Sequence, residues 1–154
     1  LLAFDTDLIG AYGICVDISR TWMIGDFEPS DEQKRLYRTA HDVIRTNMEL
    51  MRPGMTFEEI TRKAIRLPEE YRAQRYSVVA HGAGLCDEYP AIRYPEDFET
   101  SGYAGQLEPG MVMFAHMILM DSESETAMCL GRTYLVTPEG AEPLNCPDTG
   151  LMIR

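Results

Sequence analysis

Three aspartates near the start of the chain have the spacing of a possible ligand set. Asp5 and Asp7 lie two positions apart, and Asp17 follows a glycine-bounded turn at residues 10–13. Side chains alternate between the faces of a hairpin, so all three carboxylates can point to one side. Carboxylates crowded in this way repel one another unless a cation lies between them, and a divalent metal ion is the natural occupant. The alternative is that they are ordinary turn-flanking acids or acids paired with arginine, such as Asp17 with Arg20.

Two of the three histidines occupy positions that also suit a site. His81 directly precedes a Gly-Ala-Gly turn, and its imidazole is equally well explained as a metal ligand or as a buried, hydrogen-bonded core residue. His116 lies in the middle of an apolar run, where a buried ring needs partners for its nitrogens. A metal ion or an acid would supply them, and so would a backbone carbonyl; both readings stay open.

Strands are expected to position these side chains. Residues 1–7 read as a buried strand and residues 14–23 as its returning partner, because turn-forming residues separate the two apolar runs. A short strand at 76–80 leads into His81. Later apolar runs suit an antiparallel meander in which residues 131–132 separate two strands. These runs cover residues 111–119, 126–130 and 133–136.

Two helices are expected between the hairpin and His81. Ser30 begins a capping box, and apolar residues at helical spacing predict a helix from there to about Met51. Thr56 begins a second capping box and a shorter helix that ends near Leu67, which precedes a proline. Residues 86–106 are rich in proline, tyrosine and acid without a clear period, which predicts a long ordered loop with at most one short turn.

Composition limits the class of protein and of ligand. A chain of 154 residues with 45% hydrophobic content is long enough for one globular domain with a real core. Its net charge of −11 and lack of a basic cluster argue against nucleic-acid binding. A small-molecule substrate, either cationic or zwitterionic, or a metal ion suits this charge better, although acidity also serves plain solubility.

The cysteine pattern and the hydropathy predict a cytoplasmic location. The four cysteines are far apart and include no Cys-x-x-Cys pair, so we interpret them as reduced thiols in a chain that needs no disulfide. The longest apolar run, 111–120, is interrupted by His116 and is too short to span a membrane. Because the sequence starts without methionine and opens directly into a strand, we expect that an upstream part is absent.

Taken together and in order, four stretches resemble the pita-bread metallopeptidase superfamily, which includes prolidase, aminopeptidase P, methionine aminopeptidase and the metal-free creatinase. The resemblance covers nearly the whole chain. It implies an α+β fold of the creatinase/aminopeptidase type, with a curved antiparallel sheet, helices on its outer face, and residues 1–154 forming the C-terminal portion of one catalytic domain. Members of this family usually pair as homodimers. The matching stretches are residues 5–21, 81–85, 107–111 and 135–140.

By this resemblance, five ligands would hold two metal ions, and the chain keeps three of them. Asp7, with Asp5 beside it, Asp17 and His81 match the family's first three ligands. His116 and Gly131 stand where the family has two glutamates, so a two-metal centre would lose a ligand from each ion. One ion of iron, manganese or zinc could still be held by Asp17, His81 and His116. The other expectation is a site that binds no metal, as in creatinase.

Within the superfamily, the chain most resembles the bacterial lyases that cleave dimethylsulfoniopropionate. The resemblance rests on residues 5–15 and 84–90, and it implies that Asp87 removes the proton beside the substrate carboxylate while Tyr76 lines the pocket. Aromatic rings can face a sulfonium cation, and a carboxylate can act as the base. In the peptidases, a second histidine occupies the position of Glu88, so an alternative Xaa-Pro dipeptidase activity would lack that proton donor.

Overall fold

The computed structural model describes residues 1–145, which form an α+β fold as the sequence predicts. Within residues 1–145, seven strands and four α-helices follow an order that puts the long helix between the hairpin and the main sheet. The elements are β1 (Leu2–Ile9), β2 (Cys15–Trp22), α1 (Asp31–Met48), α2 (Phe57–Lys63), α3 (Glu69–Arg72), β3 (Val78–Gly82), β4 (Ala91–Arg93), α4 (Pro95–Ser101), β5 (Val112–Asp121), β6 (Thr126–Thr137) and β7 (Gly140–Pro143).

The strands form two antiparallel units. Strands β1 and β2 pair as a hairpin, and the main sheet has the order β4-β3-β5-β6-β7. The predicted break at residues 131–132 is wrong, because β6 runs straight through it. Gly131 pairs with His116 and Arg132 pairs with Ala115. Both residues are therefore part of the continuous pairing between β5 and β6, and the glycine has an extended backbone. The glycine therefore marks a packing requirement and not a turn.

The two faces of the main sheet have different characters. Along β5, residues 113, 115, 117 and 119 are buried in the apolar core, and α1 packs against β5 and β6 on this side. The alternate residues Phe114 and His116 point the other way, where β2 packs against β6. Because side chains alternate along a strand, one strand can supply both the dry core and the candidate site.

Both predicted capping boxes are present. The Ser30 side chain accepts a hydrogen bond from the Gln33 amide, and Thr56 accepts one from the Glu59 amide. The second helix ends at Lys63, four residues before Leu67, because Ala64 leaves the helical conformation with ψ near 140°. The short helix α3 follows the proline at 68, which the sequence reading did not anticipate.

The prediction of a long loop at 86–106 is wrong in its second half. Strand β4 pairs with β3, and α4 follows it with Pro95 in its first turn. Tyr94 between them is buried and its hydroxyl contacts the Met117 sulfur at 3.8 Å. A three-residue strand is too short to show a period, so pairing with β3 decided its conformation.

The hairpin is formed as predicted, but β1 is not a buried strand. Seven of its eight residues are exposed, including Phe4 and Leu8, because only β2 pairs with it and the described residues place no layer over its outer face. Among the described residues, no helix is long and apolar enough to cross a membrane.

Candidate metal centre

The hairpin register brings the predicted aspartates together. Asp7 lies directly opposite Asp17, and Asp5 lies opposite Ser19. Directly opposed residues share a face, and the two steps from 5 to 7 return to the same face. Asp17 is 1% exposed, whereas Asp5 and Asp7 lie at the exposed end of the cluster. The expectation that one side of the hairpin carries all three carboxylates is therefore met by the geometry.

The main sheet supplies His81 to the same cluster. Its Nε2 lies 3.4 Å from Asp17 Oδ2, and both side chains are 1% exposed. Its Nδ1 lies 3.1 Å from the carbonyl oxygen of Gly82, to which the N–H donates. This hydrogen bond fixes the tautomer and leaves the Nε2 lone pair facing a carboxylate. Two electron-rich atoms in such contact require a proton or a metal ion between them.

A glycine-dependent loop brings Asp87 to Asp17 and His81. A Cβ on Gly82 would lie 2.0 Å from the carbonyl oxygen of Tyr89, so only glycine lets the returning chain pass so closely. The Gly84 carbonyl accepts a hydrogen bond from the Cys15 amide, which ties the loop to the hairpin.

We call the resulting group site A: Asp17, His81 and Asp87, each with one ligand atom within 4.8 Å of the others.

His116 belongs to a second group, which we call site B: Asp5, His116 and Cys129. His116 Nε2 lies 3.6 Å from Asp5 Oδ2, 3.4 Å from Cys129 Sγ and 3.2 Å from Ser19 Oγ. The Ser19 hydroxyl donates a very short hydrogen bond to Asp5 and so orients its carboxylate. The expected set of Asp17, His81 and His116 is thus divided, because the His116 nitrogen faces Asp5 and not Asp17.

Burial and mutual repulsion hold part of this cluster neutral in the metal-free protein. Burial, followed by the charges of Asp7, Asp5 and Asp87, raises the pKa of Asp17 to about 8. Burial and the neighbouring carboxylates also raise the pKa of Asp7. Burial lowers the pKa of His116, so its ring is neutral at physiological pH. A bound cation would reverse the first effect, since it favours the ionised carboxylate.

Three unpaired atoms test whether the residues fit a metal ion. Among the described residues, Asp17 Oδ1, Asp87 Oδ1 and His116 Nδ1 are buried without a hydrogen-bond partner. Buried polar atoms without partners are uncommon and cost about 1–3 kcal/mol each. Two of the three are carboxylate oxygens in site A, beside an imidazole that presents its lone pair. This donor set of two carboxylates and one imidazole suits iron, manganese or zinc.

The aromatic ring of Phe114 occupies the space beside Gly131. A Cβ on that glycine would lie 1.9 Å from the ring's Cζ, so no larger residue fits without moving the ring. By the resemblance described above, this is the position of the family's second glutamate. The Phe114 ring and the glycine therefore fit one another, and the resemblance implies that a ligand bridging two ions is absent here.

Tyr76 lies beside the two histidines of the cluster. Its ring centroid lies 4.9 Å from that of His116 and 6.4 Å from that of His81. The Tyr76 hydroxyl donates a 2.7 Å hydrogen bond to Glu88 Oε1. Burial is the main reason that the pKa of Tyr76 is raised. An open cleft of about 880 Å³ between α1 and β6–β7 contains none of the seven predicted site residues.

Ser19, Cys129 and Phe114 were missed as site residues. Two of them lie on a strand face that already carries a predicted ligand: Ser19 is two residues from Asp17, and Phe114 is two from His116. Cys129 lies on β6 and pairs with Ile118, two residue pairs along the ladder from His116 and Gly131. Period-two counting from the ligands could have found the first two, but Cys129 required the β5–β6 register.

The sequence matches a known family over most of its length. Residues 1–138 match metallopeptidase family M24. The chain is 42% identical over 144 residues to the dimethylsulfoniopropionate lyase DddP of Roseovarius nubinhibens, covering 94% of this chain and 32% of that protein. It is 31% identical over 99 residues to the Xaa-Pro dipeptidase of Pyrococcus furiosus, covering 62% of this chain and 28% of that protein. The chain thus spans about a third of the lyase's length.

Solved structures support the same fold. Dipeptidase PepE from Mycobacterium ulcerans superposes with a TM-score of 0.76 at 24% identity, covering 97% of this chain and 38% of that one. An X-Pro aminopeptidase from Thermotoga maritima superposes with a TM-score of 0.70 at 23% identity, covering 90% and 37%. The predicted pita-bread fold is confirmed, and the chain belongs to metallopeptidase family M24.

Proposed function

We propose that this chain is the site-bearing portion of a metal-dependent lyase that eliminates dimethyl sulfide from dimethylsulfoniopropionate. The observation that carries the proposal is Asp87, a half-buried carboxylate whose Oδ1 is buried and unpaired, held beside Asp17 and His81. The 42% identity to a dimethylsulfoniopropionate lyase, with 94% of this chain aligned, supports the same activity. The charge of −11 also favours a substrate that carries a cationic group.

The residues of site A would divide the work between binding and proton transfer. A divalent ion at site A would supply positive charge for the substrate carboxylate, which makes the neighbouring C–H more acidic. Asp87 would take that proton through the carboxylate oxygen that the ion leaves free. The C–H electrons would form the carbon–carbon double bond, and the C–S electrons would leave with sulfur, which gives acrylate and dimethyl sulfide. The loop fixed by Gly82 and Gly84 keeps this base in position.

The surroundings of site A suit a sulfonium group. The Tyr76 ring lies beside both histidines, and an aromatic face attracts a cation within about 6 Å. The hydrogen bond from Tyr76 to Glu88 fixes the ring's orientation. Because the phenol's pKa is raised, Tyr76 stays neutral and serves as a surface for binding and not as a base.

The activity is tested by incubating the purified chain with dimethylsulfoniopropionate after loading with iron, manganese or zinc, and measuring dimethyl sulfide in the headspace. We expect release that Asp87→Asn lowers by about 10²–10⁴-fold, the usual contribution of a positioned base. Asp26→Asn, at an exposed aspartate outside both sites, is the matched control. No dimethyl sulfide with any of the three metals, or full activity of Asp87→Asn, would count against the proposal.

A second candidate is an Xaa-Pro dipeptidase, favoured by the 31% identity to the Pyrococcus furiosus enzyme. Glu88 weighs against it, because a carboxylate stands where the resemblance implies a proton-donating imidazole, and it is already bound by Tyr76. Release of proline from an Xaa-Pro dipeptide with manganese would establish this activity in place of the lyase. A metal-free relative is the third reading, and elemental analysis that finds near-stoichiometric metal would remove it.

Three further expectations belong to the same proposal. The chain would form the C-terminal portion of one catalytic domain, would pair as a homodimer, and would work in the cytoplasm. Cys15, Cys86 and Cys129 are free thiols, and Cys146 lies outside the described residues. Sedimentation analysis tests the dimer.

A further inference from the structure

We propose that site B is a separate metal site in which the thiolate of Cys129 is a ligand, together with Asp5 and His116. It would take zinc or another borderline divalent ion. The inference goes beyond the proposed function, because the ligands of this ion do not depend on which substrate is turned over at site A.

The distances within site B are those of ligands that share one ion. Bonds of about 2.0 Å to nitrogen or oxygen and 2.3 Å to sulfur at tetrahedral angles put neighbouring ligand atoms about 3.3–3.6 Å apart. His116 Nε2 lies 3.4 Å from Cys129 Sγ and 3.6 Å from Asp5 Oδ2. Asp5 and Cys129 complete the triangle within 4.8 Å.

Each of the three side chains is held in place by its surroundings. The Ser19 hydroxyl fixes the Asp5 carboxylate. The Cys129 backbone is clamped by Thr21, whose hydroxyl accepts from the Cys129 amide and donates to its carbonyl, both at 2.8 Å. His116 lies between the rings of Phe114 and Tyr76, with centroids 5.0 and 4.9 Å away. Contacts between a ligand residue and its neighbours, such as these, orient the ligand before an ion binds.

The ligand types indicate which ions would bind. Thiolate and imidazole together favour zinc, cobalt(II) or iron(II) over magnesium and calcium, which prefer oxygen. Three protein ligands leave a fourth position for water or substrate, the arrangement of zinc in catalytic sites. As the metal–sulfur bond forms, the Cys129 thiol releases its proton to solvent, so binding is coupled to proton release.

Sites A and B are expected to hold their ions independently. The Phe114 ring fills the space beside Gly131, so no carboxylate from that position bridges the two groups. Among the described residues, the ligand groups share no member. Loss of a ligand in one site should therefore leave the other ion bound.

Cobalt(II) tests this directly, because a cobalt–thiolate bond absorbs strongly in the near ultraviolet whether or not the enzyme is active. We expect wild-type protein titrated with cobalt(II) to develop this thiolate band. The Cys129→Ser variant should lose the band. Its affinity for the site B ion should fall by more than about tenfold, the smallest loss typical when a residue that merely orients a ligand is removed. His81→Ala, which removes a site A ligand, should keep the band.

A variant that keeps Cys129 as its only cysteine protects the test against a folding failure of Cys129→Ser. It carries Cys15→Ser, Cys86→Ser and Cys146→Ser and should keep the full band. Cobalt binding to wild-type protein without a thiolate band, or no cobalt binding, would overturn the proposal and leave Cys129 as a hydrogen-bonding thiol beside His116. So would loss of the band in the variant that retains only Cys129. None of these results depends on release of dimethyl sulfide.

Discussion

The two faces of strand β5 differ in how well their buried polar groups are paired. On the helix-covered face, Met117 and its neighbours form a dry apolar core, and the buried Asn47 of α1 accepts a 2.9 Å hydrogen bond from the Ile65 amide. On the hairpin-covered face, His116 is buried with an unpaired Nδ1. One face is optimised for stability, and the other carries groups that water or a ligand would satisfy.

This contrast alone points to the hairpin-covered face as the position of a binding site. A buried carboxylate beside an imidazole lone pair lowers the stability of the metal-free protein, because each ionised or unpaired group loses its hydration. Such a group persists where a ligand compensates for it, and strained or unpaired groups cluster at functional sites. Substitutions on the two faces should therefore differ in their effects on stability and on metal binding.

The largest effect is expected from Asp17→Asn in metal-free protein. The pKa of Asp17 is raised from 3.8 to about 8, so the folded state holds a proton that the unfolded chain has lost. Its contribution is fully present below about pH 4 and is lost as the pH rises towards 8. At about 1.4 kcal/mol per pKa unit, the loss is at most about 6 kcal/mol. Asp17→Asn should remove most of this pH dependence, as measured by urea unfolding in a chelator.

The control for this prediction is Asp26→Asn, which should keep the wild-type pH profile. With saturating zinc, the wild-type profile should flatten, because the ion favours the ionised carboxylate, while Asp17→Asn gains no such protection. Equal pH dependence of the Asp17 variant and the wild type would show that the carboxylates are not crowded as the hairpin register implies.

Adjacent substitutions on β5 compare its two faces most directly. Met117→Ala opens a cavity in the core and should lower the free energy of unfolding by about 2–5 kcal/mol with metal content unchanged. His116→Ala should cost less stability in metal-free protein, because it also removes an unpaired buried nitrogen. It should lower metal content by elemental analysis. If Met117→Ala lost metal and His116→Ala kept it, the metal site would lie on the helix-covered face and the assignment would be wrong.

Gly131→Glu restores a carboxylate in a space that the Phe114 ring already occupies. Its Cβ would overlap the ring, and such overpacking should cost about 1–3 kcal/mol in thermal or urea unfolding. Combining it with Phe114→Leu should cost less than the sum of the two single variants, by about 0.5–3 kcal/mol of coupling. Additive effects would mean that the ring and the missing glutamate are unrelated changes.

The smallest effect is expected far from both sites. Ser30→Ala removes the side-chain oxygen that caps α1 and should lower the free energy of unfolding by about 1 kcal/mol. Because α1 packs only on the helix-covered face, the cobalt–thiolate band and the metal content should stay as in the wild type. A change in either would show that the two faces are coupled through the sheet.

Local signals were enough to predict the hairpin and the first two helices. Two capping boxes and helical spacing are encoded within a few residues, so Ser30 and Thr56 appeared where expected. Strand β4 and helix α4 were missed because neither shows a period of its own, and pairing with β3 decides the strand. Gly131 was misread as a separator, since a glycine needed for packing and a glycine needed for a turn are identical in sequence.

The sequence by itself determined which side chains could bind a metal ion: the three aspartates, His81 and His116 follow from residue type and alternation. Only the tertiary structure decided how they divide into sites A and B. The β5–β6 register brings Cys129 to His116, and the approach of the loop over Gly82 brings Asp87 to Asp17. These contacts join residues 13 and 70 positions apart, and they depend on sheet register and close packing, which leave no local pattern in the chain.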